Sequence, residues 1–129
     1  MIDERWNALV VDDTPVNVKL LVALLKANGF AVTVATTGEA ALEVVKTAAF
    51  ELVLLDLRLP GIDGLTVARA LRADPDHHHL VIVAVSASAM KHDVAAALEA
   101  GCDAFVSKPI NTRTLIPMLS GLLARGKAS

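Results

Sequence analysis

Five polar groups hold the chemistry open to this chain, because each follows a short apolar run. Asp12 and Asp13 follow Ala8-Leu9-Val10-Val11, and Asp56 follows Leu52-Val53-Leu54-Leu55. Ser86 follows Leu80 to Val85, and Lys108-Pro109 follows Ala104-Phe105-Val106. If each run is a parallel strand, the groups gather at the carboxyl edge of one sheet, where open α/β sheets place their sites. Two like charges ~4 Å apart repel by about 4 kcal/mol at an effective dielectric near 20. Three carboxylates together therefore call for a counter-ion. A hard divalent cation with oxygen ligands answers best, and Mg²⁺ is the usual choice; it keeps waters and leaves room for a phosphoryl oxygen. Lys108 adds a second positive charge, and Ser86 can donate a hydrogen bond to a phosphoryl oxygen. Asp56, central in the group, has the chemistry of a phosphoryl acceptor.

The elements that must position these groups alternate strand and helix five times. The runs around Leu9, Val53 and Val83 are nearly unbroken, as strands buried on both faces require. Ala31 to Ala35 alternates through Thr33 and reads as an edge strand, with the short Ala104 to Val106 as the other edge. Thr14 is placed to cap the first helix, with Pro15 in its first turn, Val16, Leu20 and Leu24 on one face, and Gly29 beyond its end. Thr36 and Glu39 have capping-box spacing for the second, with Ala41, Val45 and Ala49 as the buried stripe. The third runs from about Gly64 to Ala73 and is closed by Pro75. Met90, Val94 and Leu98 are expected to face inward on the fourth, which Gly101 ends. The fifth covers roughly Thr114 to Ala124, with Leu115, Leu119 and Leu122 apolar. Pro117 there predicts a late start, with Thr114 as cap, or a kink. Repetition of this kind implies right-handed crossovers and a parallel sheet with helices on both faces.

The chain has 129 residues, 54% apolar and 20% charged, which suits one globular domain with one core. A net charge of −2 with no basic block argues against direct nucleic-acid binding. The polar N-terminus, Met1 to Asn7, has no signal-peptide apolar core, and no stretch is long enough to span a bilayer. A cytoplasmic location is the resulting expectation. Cys102 is the only cysteine, so no internal disulfide forms. The tail from Arg125 to Ser129 is expected to fray.

This constellation resembles the receiver domain of bacterial two-component response regulators. The matching residues are Asp12-Asp13, Asp56, Ser86-Ala87 and Lys108-Pro109. Leu59-Pro60-Gly61-Ile62-Asp63-Gly64 matches the family's loop after the acceptor, and Gly101-Cys102-Asp103-Ala104-Phe105 its approach to the lysine. The resemblance runs from about Ala8 to Leu123 and implies a single receiver domain. It implies a flavodoxin-like fold, with five parallel strands in the order 2-1-3-4-5 and five helices. It implies that Asp56 takes a phosphoryl group from a phosphohistidine on a histidine kinase or histidine phosphotransfer protein. Asp13, Asp56 and the backbone carbonyl of Arg58 would ligate Mg²⁺, with Asp12 acting mainly through a bound water. Lys108 would pair with the acceptor and then with the phosphoryl group. Ser86, with Ala87 beside it, would move toward a phosphoryl oxygen, Phe105 would turn from exposed to buried, and Pro109 would follow a cis peptide bond. Arg58 and Ser88 would flank the path of attacking water and set the lifetime of the phosphorylated state. The surface of the fourth helix, fifth strand and fifth helix would meet a downstream effector.

Plainer readings stand beside these. An acidic pair at a strand end is often only solvated chain, Ser86 alone a loop hydroxyl, Lys108 a surface lysine and Phe105 fixed core; their joint placement overrides this. His77-His78-His79 reads as a solvated loop rather than a metal site, Asn17 as a helix-surface group, and Cys102 as a small buried residue. The Ala-rich stretch Asp93 to Ala100 is either plain helix or a smooth face for a partner, and the lack of bulky exposed residues argues against strong constitutive dimerisation. An aspartate-nucleophile phosphatase resembles a pattern with a second aspartate two residues after the nucleophile; here Arg58 stands there. A flavodoxin-like electron carrier needs a phosphate-welcoming first loop, which Asp12-Asp13 would repel. A receiver-like binding module that never gains phosphate is the remaining alternative, and the intact acidic site opposes it.

Overall fold

The computed structural model describes residues 6–77 and 79–128. It contains five strands, β1 (Trp6–Val11), β2 (Phe30–Ala35), β3 (Leu52–Asp56), β4 (Val81–Ser86) and β5 (Ala104–Ser107). Between and after them lie α1 (Pro15–Ala27), α2 (Gly38–Val44), α3 (Gly64–Ala73), α4 (Lys91–Glu99) and α5 (Thr112–Ala128). The strands form one parallel sheet in the order β2-β1-β3-β4-β5, the expected one.

The sheet is buried on both faces, so period-2 alternation divides its side chains between two apolar layers. Leu9, Val11, Val53, Leu55, Ile82 and Ala84 face α2, α3 and α4, which contribute Ala41, Val67, Ala68, Leu71 and Ala97, with Ala100 just past the end of α4. Ala8, Val10, Leu52, Leu54, Val81 and Val83 face α1 and α5, which contribute Leu21, Leu25, Leu115, Leu119 and Leu123. Every residue of β3 and β4 is buried. Each large aliphatic side chain so placed stabilises the fold by about 1.5–3 kcal/mol relative to exposure.

Several helix details differ from expectation. On α1 the buried residues are Leu21 and Leu25, while Val16 is 75% exposed and Leu20 lies at the surface. Thr14 occupies the cap position without a side-chain cap bond. The cap of α2 is Thr37, whose Oγ1 accepts from the Ala40 N–H at 3.0 Å, not Thr36. The helix stops at Val44, so Ala49 is exposed instead of completing a stripe. On α4 the inward residue is Ala97, with Ala100 beside it; Met90 is 62% exposed and Leu98 also faces solvent. The small alanine side of this helix meets the sheet layer, and the bulky side is left outside. On α5 the start is earlier than expected, at Thr112. The Asn111 carbonyl accepts from the Thr114 and Leu115 N–H groups, and its Oδ1 accepts from Arg113 N–H. Pro117 thus falls inside the helix, the third buried leucine is Leu123 rather than Leu122, and the helix runs on to Ala128 past the expected fraying point. His77 ends a short 3-10 turn (Pro75–His77) with Nδ1 3.1 Å from Asp74 Oδ2. The expectations for Met1 to Arg5, His78 and Ser129 lie outside the described residues.

Two glycines end helices where only a left-handed residue turns the chain. Gly29 after α1 has φ +89° and Gly101 after α4 has φ +107°. Gly101 is doubly constrained, because a Cβ there would come 2.8 Å from Arg72 Cγ. That side chain donates from Nε to the Gly101 carbonyl (2.9 Å), from Nη1 to the Leu80 carbonyl (2.8 Å) and from Nη2 to Asp103 Oδ2 (2.7 Å). Asp103 Oδ2 also accepts from Ile82 N–H at 2.8 Å. This lattice ties the end of α3 to the starts of β4 and β5, well away from the carboxyl edge.

Candidate functional site

Strand register sets the site. Val11 pairs with Leu55, so Asp12 and Asp56 leave adjacent strands at the same level. Asp56 pairs with Val85 and Ser86 with Ser107, which brings Ser86 and Lys108 one step farther along the same edge. Main-chain bonds continue the ladder there, from Asp12 N–H to the Ala35 carbonyl, Leu57 N–H to Val85, and Lys108 N–H to Ser86.

The carboxylates converge. One oxygen from each of Asp12, Asp13 and Asp56 lies within 4.8 Å of the others. Asp12 is 1% and Asp56 3% exposed, whereas Asp13 faces solvent. Asp56 Oδ1 accepts from the Arg58 N–H at 2.9 Å, and Oδ2 accepts from Lys108 Nζ at 3.2 Å. Lys108 Nζ also lies 3.6 Å from Asp12 Oδ2. Asp12 Oδ1 accepts from Thr14 N–H at 2.9 Å.

Burial pushes the Asp56 carboxyl above its usual range, and the Asp12 charge pushes the same way; the Arg58 N–H and Lys108 oppose it. One amine thus faces two buried carboxylates, with Asp13 beside them. Asp12 Oδ2 is buried without a hydrogen-bond partner, since its contact with Lys108 is too long for one. An orphaned carboxylate oxygen beside two more carboxylates fits a small divalent cation, because such a cation takes oxygen ligands and supplies the missing charge.

The groups border an open cleft of about 580 Å³ lined by Asp13, Asp56, Arg58, Ala87, Ser88 and Lys108, among others. Ser86 is buried just behind it and lines a second cavity of about 180 Å³. Phe105 is half-buried and borders a separate cavity with Pro109 and Met118 against α5. The structure therefore gathers Asp13, Asp56, Lys108, Arg58, Ala87 and Ser88 at one cleft, with Asp12 buried beside Lys108, Ser86 adjoining and Phe105 apart. The Lys108–Pro109 peptide is cis. Asn17 is half-buried in the first turn of α1. Cys102 is buried, and burial pushes its thiol up to about 11, so it is inert as a thiolate at neutral pH.

Two contributors escaped the sequence reading. Thr14 acts through its backbone N–H, which no side-chain pattern reveals. Asp93 accepts from Ser88 Oγ at 2.6 Å and from Met90 N–H at 3.2 Å. The three-residue spacing from Met90 to Asp93 is the available signal, and reading α4 only for its apolar residues passes over it.

Comparison with known proteins agrees with this geometry. The family described as the response regulator receiver domain matches residues 8–120. The polar-differentiation response regulator DivK of Brucella ovis is 32% identical over 117 residues, spanning 91% of this chain and 95% of DivK. Among solved structures, the receiver domain of sensor histidine kinase PA1611 from Pseudomonas aeruginosa PAO1 superposes with TM-score 0.86 at 29% identity, covering 94% of this chain and 99% of that one. That structure has a magnesium ion coordinated in its active-site cleft. The signal receiver domain of a signal transduction histidine kinase from Syntrophus aciditrophicus gives TM-score 0.88 at 25% identity, over 96% and 94% of the two chains. No helix among the described residues is long and apolar enough to cross a membrane. A motif match, a relative aligned nearly end to end and the same strand order all lead to one statement: the chain belongs to the response regulator receiver domain family of two-component signalling.

Proposed function

We propose that this receiver domain is a phosphoacceptor switch and that Asp56 is the residue phosphorylated. The observation carrying this reading is the pairing of a buried Asp56 with Lys108 at 3.2 Å, beside the orphaned Asp12 oxygen. Asp12, Asp13, Asp56 and the backbone carbonyl of Arg58 would hold Mg²⁺. When bound, the ion supplies positive charge against the carboxylates and the incoming phosphoryl oxygens.

The chain's own residues position and neutralise. One Asp56 oxygen attacks phosphorus as the bond from phosphorus to the donor's imidazole nitrogen breaks. The electron pair of that bond leaves with the imidazole, which keeps a proton on its other nitrogen. Lys108 transfers its charge from the free carboxylate to the phosphoryl group. The Ser86 hydroxyl, which accepts from Ser88 N–H at 3.2 Å, keeps its own proton free to donate to a phosphoryl oxygen. Movement of Ser86 and Ala87, with Phe105 turning inward, would shift a pre-existing equilibrium of the surface formed by α4, β5 and α5. Arg58 and Ser88, both at the cleft, would set the phosphoryl lifetime.

The donor is a histidine kinase or histidine phosphotransfer protein in the cytoplasm, and the reader is an effector protein or domain. The chain assists only its own phosphorylation and dephosphorylation and turns over no separate substrate. Incubation with Mg²⁺ and acetyl phosphate should add one phosphoryl mass that is absent in Asp56→Asn and when the metal is chelated. No mass gain from acetyl phosphate or from any phosphohistidine donor refutes the reading.

A further inference from the structure

The loop after β4 is held by a continuous chain of hydrogen bonds that leads away from the acceptor cleft. Ser88 N–H donates to Ser86 Oγ at 3.2 Å, and Ser88 Oγ donates to Asp93 Oδ2 at 2.6 Å. The same Asp93 oxygen accepts from Met90 N–H at 3.2 Å, which fixes the start of α4. Asp93 Oδ1 lies 3.4 Å from His92 Nε2. Ser88 borders the cleft that holds Asp56 and Lys108, and Ser88 and Asp93 together line the smaller cavity behind it. Asp93 itself does not line the acceptor cleft among the residues that form its wall.

A serine hydroxyl has one proton and two lone pairs. With its proton given to a carboxylate at 2.6 Å, the Ser88 oxygen meets the cleft only as an acceptor. A water donating one hydrogen to that oxygen keeps its own lone pairs available for phosphorus. In hydrolysis the water oxygen bonds to phosphorus and the bond from phosphorus to the Asp56 oxygen breaks. The electron pair returns to the Asp56 carboxylate, and both water hydrogens leave on the phosphate as H₂PO₄⁻.

We propose that Asp93 is a positioning residue that sets the phosphoryl lifetime by fixing Ser88 as a hydrogen-bond acceptor at the edge of the acceptor cleft. This rests on Asp56 being the phosphoacceptor. Without Asp93, the Ser88 hydroxyl is free to rotate and to turn its proton toward the cleft, where it competes with rather than orders the water. The loss of one ordering hydrogen bond slows hydrolysis by about three- to tenfold.

The test follows the phosphoryl mass on the full chain after removal of excess acetyl phosphate, at constant Mg²⁺. Asp93→Ala should lose the label about three- to tenfold more slowly than wild type. Asp93→Asn, whose amide oxygen still accepts from Ser88, should restore most of the rate. Ser88→Ala should match Asp93→Ala, and the double variant should be no slower than either single one. Ser88→Ala leaves the Met90 contact of Asp93 in place, so it keeps the test open if Asp93→Ala does not fold. Wild-type rates in Asp93→Ala or in Ser88→Ala, no recovery in Asp93→Asn, or effects that multiply in the double variant overturn the proposal. A wild-type chain that takes no label overturns the acceptor reading along with it; labelled variants with unaltered rates overturn this inference alone.

Discussion

Replacing Lys108 by methionine tests the electrostatic account of the cleft most directly. Its Nζ lies 3.2 Å from Asp56 Oδ2 and 3.6 Å from Asp12 Oδ2, with the lysine side chain only 18% exposed. Each contact represents roughly 5 kcal/mol of attraction at an effective dielectric near 20, before the cost of desolvating the ammonium is subtracted. Breaking a buried pair by removing one partner costs about 3–5 kcal/mol. Proton uptake sets a ceiling. Protonating at pH 7 a carboxyl with the ordinary value 3.8 costs about 4 kcal/mol, at 1.36 kcal/mol per unit. The expected destabilisation at pH 7 without divalent cations is therefore about 3 kcal/mol, or roughly 10 °C in Tm for a chain of this size. The sign of the pH dependence is fixed. A folded-state Asp56 value above the unfolded one means that the folded chain still holds a proton after the unfolded chain has released it, so stability falls as pH rises above 3.8. Lys108→Met raises that value further and widens the window. Urea unfolding followed by circular dichroism between pH 3.5 and 7.5 in chelator should show a deficit that opens as pH rises and closes below pH ~4. Added Mg²⁺ should recover part of it. An unchanged midpoint at pH 7 in chelator, or a deficit that ignores pH, would refute the reasoning.

Four further outcomes follow from the same structure. Asp56→Asn should unfold at a higher temperature than wild type at pH 7.5 in chelator, since it removes a buried charge held above its usual range, and the gain should vanish near pH 3.5; a lower Tm at pH 7.5 contradicts this. Mg²⁺ at a hundred times its dissociation constant should stabilise wild type by about 2.7 kcal/mol, and Asp13→Ala should lose most of that gain in a thermal scan; an equal gain in the variant would remove Asp13 from the metal set. Arg58→Ala should shed the phosphoryl group up to about tenfold faster, as expected of lost shielding by a charge-assisted contact, and slower loss than wild type counts against it. Leu54→Ala, at a position 1% exposed in the layer under α1 and α5, should cost about 2–5 kcal/mol in urea unfolding with an unchanged slope.

The carboxyl-edge cluster was legible because its members stand directly after unbroken apolar runs, and a strand buried on both faces has little other sequence signature. Asp12, Asp56, Ser86 and Lys108 could be assigned to one edge before any register was known. The helix faces were harder. The bulky apolar residues of α4, Met90 and Leu98, look like a core stripe, yet Ala97 and Ala100 take the inner positions. A short helix lying close on a sheet accommodates small side chains, and alanine on the inner face carries almost no hydrophobic contrast against the alanines around it. On α1, Val16 and Leu20 misled in the same way, with Leu21 and Leu25 inside. At α5, Asn111 is the cap because its carbonyl and side chain both meet the first turn; Thr114 has equal claim by residue type.

By itself the sequence determined the order of elements, the edge strands and the groups that reach the carboxyl edge, since these depend on local periodicity and on turns punctuated by glycine and proline. The tertiary structure decided the quantities that depend on distance. These are the orphaning of Asp12 Oδ2, the sharing of Lys108 between two carboxylates, the separation of Phe105 from the cleft at Asp56 and the commitment of the Ser88 proton to Asp93. Residue types state which charges and protons a chain owns. Only the packed sheet brings groups as remote as Asp12, Asp56 and Lys108 within a few ångströms, where burial strengthens every interaction among them.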